Sequence, residues 1–134
     1  MKAQILIFSL MVLTITSCKE LEDIQGSYNV TTVDGEDLSD NGITIKIEMS
    51  KTENRISGNN GCNQYSGTFT NPEGSMVDLG PMMGTKMYCE ETAKIETKYM
   101  SQLSLVKRVE LKNDVLRLMD EDGNVLIKAK KTNE

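Results

Sequence analysis

The sequence predicts a small, mainly β domain in which an antiparallel meander curves against one amphipathic helix. Three observations lead there. Ile43-Thr44-Ile45-Lys46-Ile47-Glu48-Met49 alternates apolar and polar residues without a fault, which is the period of a half-buried strand. Short runs of strand formers, about eight in all, recur along the chain between clusters of Gly, Asn, Asp and Pro that suit turns. A single later stretch, about residues 90–106, places Ile95, Tyr99, Leu103 and Val106 on one helical face.

The elements follow in order. Residues 24–33, IQGSYNVTTV, read as a first strand, closed by the turn pair Asp34-Gly35. After Ser39-Asp40-Asn41-Gly42 comes the alternating strand, with Ile43, Ile45, Ile47 and Met49 expected inward. Residues 55–58 and 65–70 continue the meander, and Asn71-Pro72-Glu73-Gly74 turns it. Residues 76–79 and 85–89 read as short extended pieces. Glu90 and Glu91 open the helix, where acids complement the positive end of its dipole. Residues 107–112, 115–119 and 125–130 complete the sheet, with Asn113-Asp114 and Asp122-Gly123 between them. Residues 132–134 are a polar tail.

The N-terminus carries an address. Met1-Lys2 is a short basic start, residues 5–15 are apolar apart from Ser9 and Thr14, and Ile15-Thr16-Ser17-Cys18 follows, the layout of a secretory signal. The apolar run is too short to span a bilayer, which takes about 20 residues. Its end resembles a bacterial lipobox. The resemblance implies that residues 1–17 are a lipoprotein signal peptide and that Cys18 becomes the lipidated N-terminus, followed by a tether to residue 23. One domain, residues 24–131, accounts for the rest. The formal net charge is −5, and −6 without Lys2, so the body does not attract phosphate backbones and no nucleic acid is expected as a partner.

Of three cysteines, assigning Cys18 to lipid leaves Cys62 and Cys89. They are either two buried small hydrophobes or a disulfide, which a compartment outside the cytoplasm permits. We expect the disulfide, worth roughly 3 to 4 kcal/mol in the chain-entropy model.

The pattern Gly58, Gly61-Cys62-Asn63, Gly67, then Gly80-Pro81-Met82-Met83-Gly84-Thr85-Lys86-Met87-Tyr88-Cys89, resembles the META domain, also called the HslJ-like family. On that resemblance Gly58, Gly61, Cys62, Asn63, Gly67, Met83, Thr85, Met87 and Cys89 are motif positions, none with a catalytic role. The resemblance implies a small antiparallel sheet curled into a partly open barrel with one helix flanking or closing it, and an association with stress responses. Many META domains begin the first strand with tryptophan. This chain has none, and Tyr28 is the candidate for part of that role.

No residue pattern points to catalysis. The chain lacks histidine, the usual general base and zinc ligand. Gly58-Asn59-Asn60-Gly61 lacks the Lys-Ser/Thr of a phosphate loop. Asp120-Glu121-Asp122-Gly123-Asn124 resembles a shortened calcium loop, but its glycine comes fourth and a strand follows, so a solvated turn is the better account. Met76, Met82, Met83 and Met87 suit the core of an aromatic-poor domain better than a soft-metal site. The expected function is therefore a non-enzymatic lipoprotein of the bacterial cell envelope, lipid-anchored at the outer membrane, monomeric and without cofactor. It would serve as a binding or envelope-maintenance module for an envelope protein or small apolar ligand. The alternative is a lipocalin-like or pilot-like barrel that takes an apolar ligand or a partner's peptide inside.

Overall fold

The structure, a computed structural model, describes residues 21–133. The expected signal peptide and Cys18 lie outside the described residues. Strands β1 (Gly26–Val33), β2 (Glu36–Asp37), β3 (Thr44–Met49), β4 (Asn54–Asn59), β5 (Gln64–Thr70), β6 (Asp78–Leu79) and β7 (Met83–Gly84) precede helix α1 (Ala93–Ser104). β8 (Arg108–Lys112), β9 (Val115–Met119) and β10 (Val125–Lys131) follow it. All pairings are antiparallel, in the order β6-β5-β4-β3-β1-β10-β9-β8, with β2 beside β1 and β7 beside β5.

The sheet curls until its ends touch. Met76 bridges Arg108, Val77 N–H donates to Lys107 O (2.9 Å), and Val109 N–H donates to Ser75 O (2.9 Å). The contact is short, so the result is the partly open barrel expected. Two bulges help the curl. The β1–β10 register slips between Val30 and Thr32, and the β10–β9 register slips between Val125 and Ile127. A bulge bends a strand and resets which side chains face inward. That is why Val30 and Val33, three residues apart, are both buried.

Two-residue turns join β1 to β2 and β8 to β9. Asp34 and Gly35 (φ 50° and 76°) and Asn113 and Asp114 (φ 51° and 61°) all take positive φ, the backbone that matches the twist of a hairpin.

Ile43, Ile45 and Ile47 are buried as the alternation requires, and Met49 is half-buried. Two further segments fill the curl. The helix starts at Ala93 and ends at Ser104, shorter than 90–106, and brings in Tyr99 and Leu103, with Val106 just beyond it. Leu21–Ile24 forms a 3-10 turn whose Leu21 and Ile24 are buried in the same core. The segment expected as tether to residue 23 therefore joins the domain by Leu21, because an apolar leucine gains more inside than in water.

Ile24, Leu103 and Val106 meet Ile47, Phe69 and Leu118 around a residual void of about 10 Å³. That is the volume of one water at most. The interior cavity that a barrel carrier would need is filled by side chains. The fillers are mostly aliphatic residues and tyrosines rather than the four methionines expected: Met76, Met83 and Met87 are 41%, 75% and 63% exposed, and of the four only Met82 packs partly against the core, as Met49 and Met100 do elsewhere.

Candidate functional site

The motif residues gather at one end of the sheet, around a buried polar hub. Residues 59–63 form a tight turn in which Gly61 has φ 100°, a conformation that favours glycine. Asn59 Oδ1 accepts from Gly61 N–H (2.8 Å), and Asn60 Oδ1 accepts from Cys62 N–H (3.2 Å) and Asn63 N–H (2.7 Å). The turn delivers Asn63 inward. Asn60 and Asn63 are the buried polar residues among those described.

Asn63 has every hydrogen-bonding position of its side chain occupied, two donors and two lone pairs. Its Nδ2 donates to Met87 O (3.0 Å) and to the Glu96 carboxylate (3.1 Å); its Oδ1 accepts from Thr85 Oγ1 (2.8 Å) and Met87 N–H (2.8 Å). Thr85 and Gln64 add a reciprocal pair, with Thr85 N–H donating to Gln64 O (3.0 Å) and Gln64 N–H to Thr85 Oγ1 (3.2 Å). Next to this hub Cys62 and Cys89 are joined by a disulfide, Cα–Cα 5.9 Å. From its turn Asn63 thus ties the loop of residues 85–87 to the first turn of α1. Residues 85–89 form no strand, although they alternate like one. Their order comes from polar bonds and a covalent link, and their apolar side chains face water, Tyr88 being 82% exposed.

Other motif positions serve close approach. A Cβ on Gly58 would lie 2.0 Å from Thr44 O, and one on Gly67 would lie 2.6 Å from Met82 Sδ. Behind Gly58, Tyr65 Oη bonds Thr44 O (2.9 Å) and Tyr99 Oη (2.6 Å). Thr44 O has no proton, so Tyr65 donates to it and accepts from Tyr99. Burial pushes both phenols well above their usual pKa. Tyr28, buried in the first strand, donates to Ile24 O (2.6 Å), and burial with the nearby Asp114 charge raises its pKa to about 12. These hydroxyls stay protonated and act as pins.

Outside the hub an open trough of about 770 Å³ crosses the outer face of β1, β3, β4 and β5, ending at Thr132 on one side and Met83–Thr85 on the other. Gly58, Met83 and Thr85 of the motif line it. Its floor is built in register, because paired residues of an antiparallel sheet face the same way, and apart from Lys46 and Met83 its side chains are short and polar. One row runs Ser27, Lys46, Ser57, Ser66, Met83. The next runs Asn29, Thr44, Asn59, Gln64. The row beyond is Glu48, Arg55 and Thr68. Lys46, the trough's charged lining residue, pairs with Glu48 (2.8 Å), which holds the carboxyl below its usual pKa.

Asp120 bonds within its own turn. Its Oδ1 accepts from Asp122 N–H (3.0 Å) and Asn124 N–H (2.8 Å), and its Oδ2 accepts from Asn124 Nδ2 (3.0 Å). These bonds lower its pKa and fix a turn. Among the described residues no three His, Cys, Asp or Glu side chains come together as a metal-binding group.

Comparison with known proteins fits this architecture. An NMR structure of a protein from Burkholderia xenovorans superposes with TM-score 0.62 at 23% identity, over 82% of this chain and 83% of that one. A crystal structure of a DUF4847 family protein from Bacteroides vulgatus superposes with TM-score 0.61 at 15% identity, over 86% of this chain and 99% of that one. At such identities the likeness is one of fold. No curated protein matches. The META domain matches residues 6–133, nearly the whole sequence, and the chain belongs to the META domain family.

Proposed function

We propose that this META-domain protein is a non-enzymatic binding module of the bacterial cell envelope, held at the outer membrane by lipid on Cys18. The observation that carries the reading is the spacing at the N-terminus. Only Lys19 and Glu20 separate Cys18 of the lipobox-like run from Leu21, whose side chain is in the core. Three residue steps reach about 10 Å at full extension. An acylated Cys18 would therefore set the sheet directly on the bilayer surface, with no linker to swing on. The Cys62–Cys89 disulfide agrees with a compartment outside the cytoplasm.

Binding is favoured over catalysis by the character of the polar groups. The chain has no histidine, and the carboxyls with displaced pKa, Asp37, Glu48 and Asp120, are exposed and shifted downward, which weakens them as bases. The tyrosines hold their protons. What the chain does present is an open trough beside a rigidly held loop. The filled interior leaves an apolar ligand no room inside, so the outer face is where a ligand would sit. Labelling with radioactive palmitate tests the anchor. The label should enter the full chain and vanish on Cys18→Ala; equal labelling of both, or none of either, would remove the anchoring claim.

A further inference from the structure

We infer that the trough on the outer face of β1, β3, β4 and β5 is a binding site for an uncharged oligosaccharide. The inference rests on the binding-module reading and names its ligand class.

The shape comes first. Ser27, Lys46, Ser57, Ser66 and Met83 occupy five strands, which span about 19 Å at the usual inter-strand spacing, and the two rows are about 7 Å apart along the strands. The slot is long, narrow and runs across the strands. It takes a chain of rings lying flat, one ring wide. Its volume of about 770 Å³ lies within the range of small-ligand sites.

The chemistry narrows the class. Ser27, Asn29, Ser57, Gln64 and Ser66 line the slot with hydroxyl and amide groups whose side chains make no hydrogen bond to other described residues. Each hydroxyl both donates and accepts, and each amide offers both on one plane. That is the complement of a polyol, which also presents both functions on every ring. Asn59 and Thr44 are held in place by Gly61 N–H and by the bond between Asn59 N–H and Thr44 Oγ1 (3.0 Å), so the middle of the second row is fixed before any ligand arrives. Met83 at the end of the slot offers an apolar surface to a ring face.

Charge and topology disfavour the competitors. Lys46 is neutralised by Glu48 and the chain is acidic, so a polyanion gains little. An extended peptide adds to a sheet at an edge, whereas this slot crosses the face.

The test uses the full chain in a sugar-free zwitterionic detergent and a panel of neutral tetrasaccharides (chito-, cello- and malto-oligomers). A sulfated oligosaccharide and a set of capped hexapeptides complete it, read by calorimetry and by amide shift changes. At least one neutral tetrasaccharide should bind and shift Ser57, Gln64 and Ser66. Ser57→Tyr, which fills the middle of the slot, should weaken it at least about tenfold. Gln64→Ala, an exposed truncation at the rim, should weaken it a few-fold with an unchanged fold. Raising salt should leave the affinity nearly unchanged, since little net charge is involved. Preference for the sulfated probe or a peptide at the slot would overturn the ligand class and leave the binding module standing. Absence of any shift at the slot from every probe would overturn both. Neutral-sugar binding that Ser57→Tyr leaves intact would place the site elsewhere and sink the inference.

Discussion

The inside of the curled sheet and the Gly58–Cys89 end of it are ordered by opposite means. Inside, Ile43, Ile45, Ile47, Leu116, Leu118 and Ile127 exclude water and leave a void of about 10 Å³. At the other end Asn60, Asn63, Thr85 and the Cys62–Cys89 disulfide fix a loop whose methionines and tyrosine remain in solvent. Burial alone is non-directional, so it fixes a volume more readily than a loop path. Hydrogen bonds and a covalent link have direction, and they can hold a loop exposed in one shape. A binding surface needs the second kind of order, because its side chains must be placed without being buried.

The largest effect comes where the two regions touch. Gly58→Ala would put a methyl 2.0 Å from the Thr44 carbonyl, which is backbone and cannot rotate away. Strands β3 and β4 would have to part, and Tyr65 would lose its acceptor. We expect a loss of at least about 3 kcal/mol in denaturant unfolding, the upper range of overpacking. A loss below about 1 kcal/mol would mean the strands can separate there without disturbing the core.

Breaking only the loop end should cost about as much at most and be felt differently. Cys62→Ser with Cys89→Ser releases a link across a sequence separation of 27 residues. The chain-entropy model gives roughly 3 to 4 kcal/mol for such a loop. Because Asn63 still holds Met87, cleavage by trypsin after Lys86 should rise only modestly relative to the rest of the chain. Rapid, selective cleavage there would show that the disulfide, not the amide hub, orders the loop.

The same contrast explains what could be read from the sequence. Order by burial writes itself as periodicity, and the alternation over Ile43–Met49, the helical face of Tyr99 and Leu103, and the Asn113-Asp114 turn were all legible. The bulges at Thr31 and Leu126 were not, because each resets the parity of its strand and depends on a neighbour's register. Order by polar bonds leaves no period. Thr85, Met87 and Cys89 alternate like a strand, yet their path is set by Asn63 more than 20 residues away, with |i−j| of 22 for Thr85 and 24 for Met87. The trough was invisible for a related reason. Ser27, Lys46, Ser57 and Ser66 become one row only once three strand registers are known.

The smallest effect separates the core's two polar pins from its apolar packing. Tyr99→Phe keeps the ring and removes the hydroxyl that donates to Tyr65, at about 1 kcal/mol near neutral pH. Its signature lies in alkali. Unfolded tyrosines ionise near 10.0, whereas burial keeps Tyr99 and Tyr65 protonated above that. The folded state then binds more protons, so stability is intact below pH 10 and is lost as the pH rises beyond it. Each such group steepens the loss by about 1.4 kcal/mol per pH unit. Phenylalanine at position 99 deletes one of them. The variant should therefore be the weaker protein at neutral pH and lose stability more slowly above pH 10, so the two unfolding curves converge. Parallel loss in both proteins would mean that Tyr99 gives up its proton as easily folded as unfolded, and that the hydroxyl chain is not sealed inside the sheet.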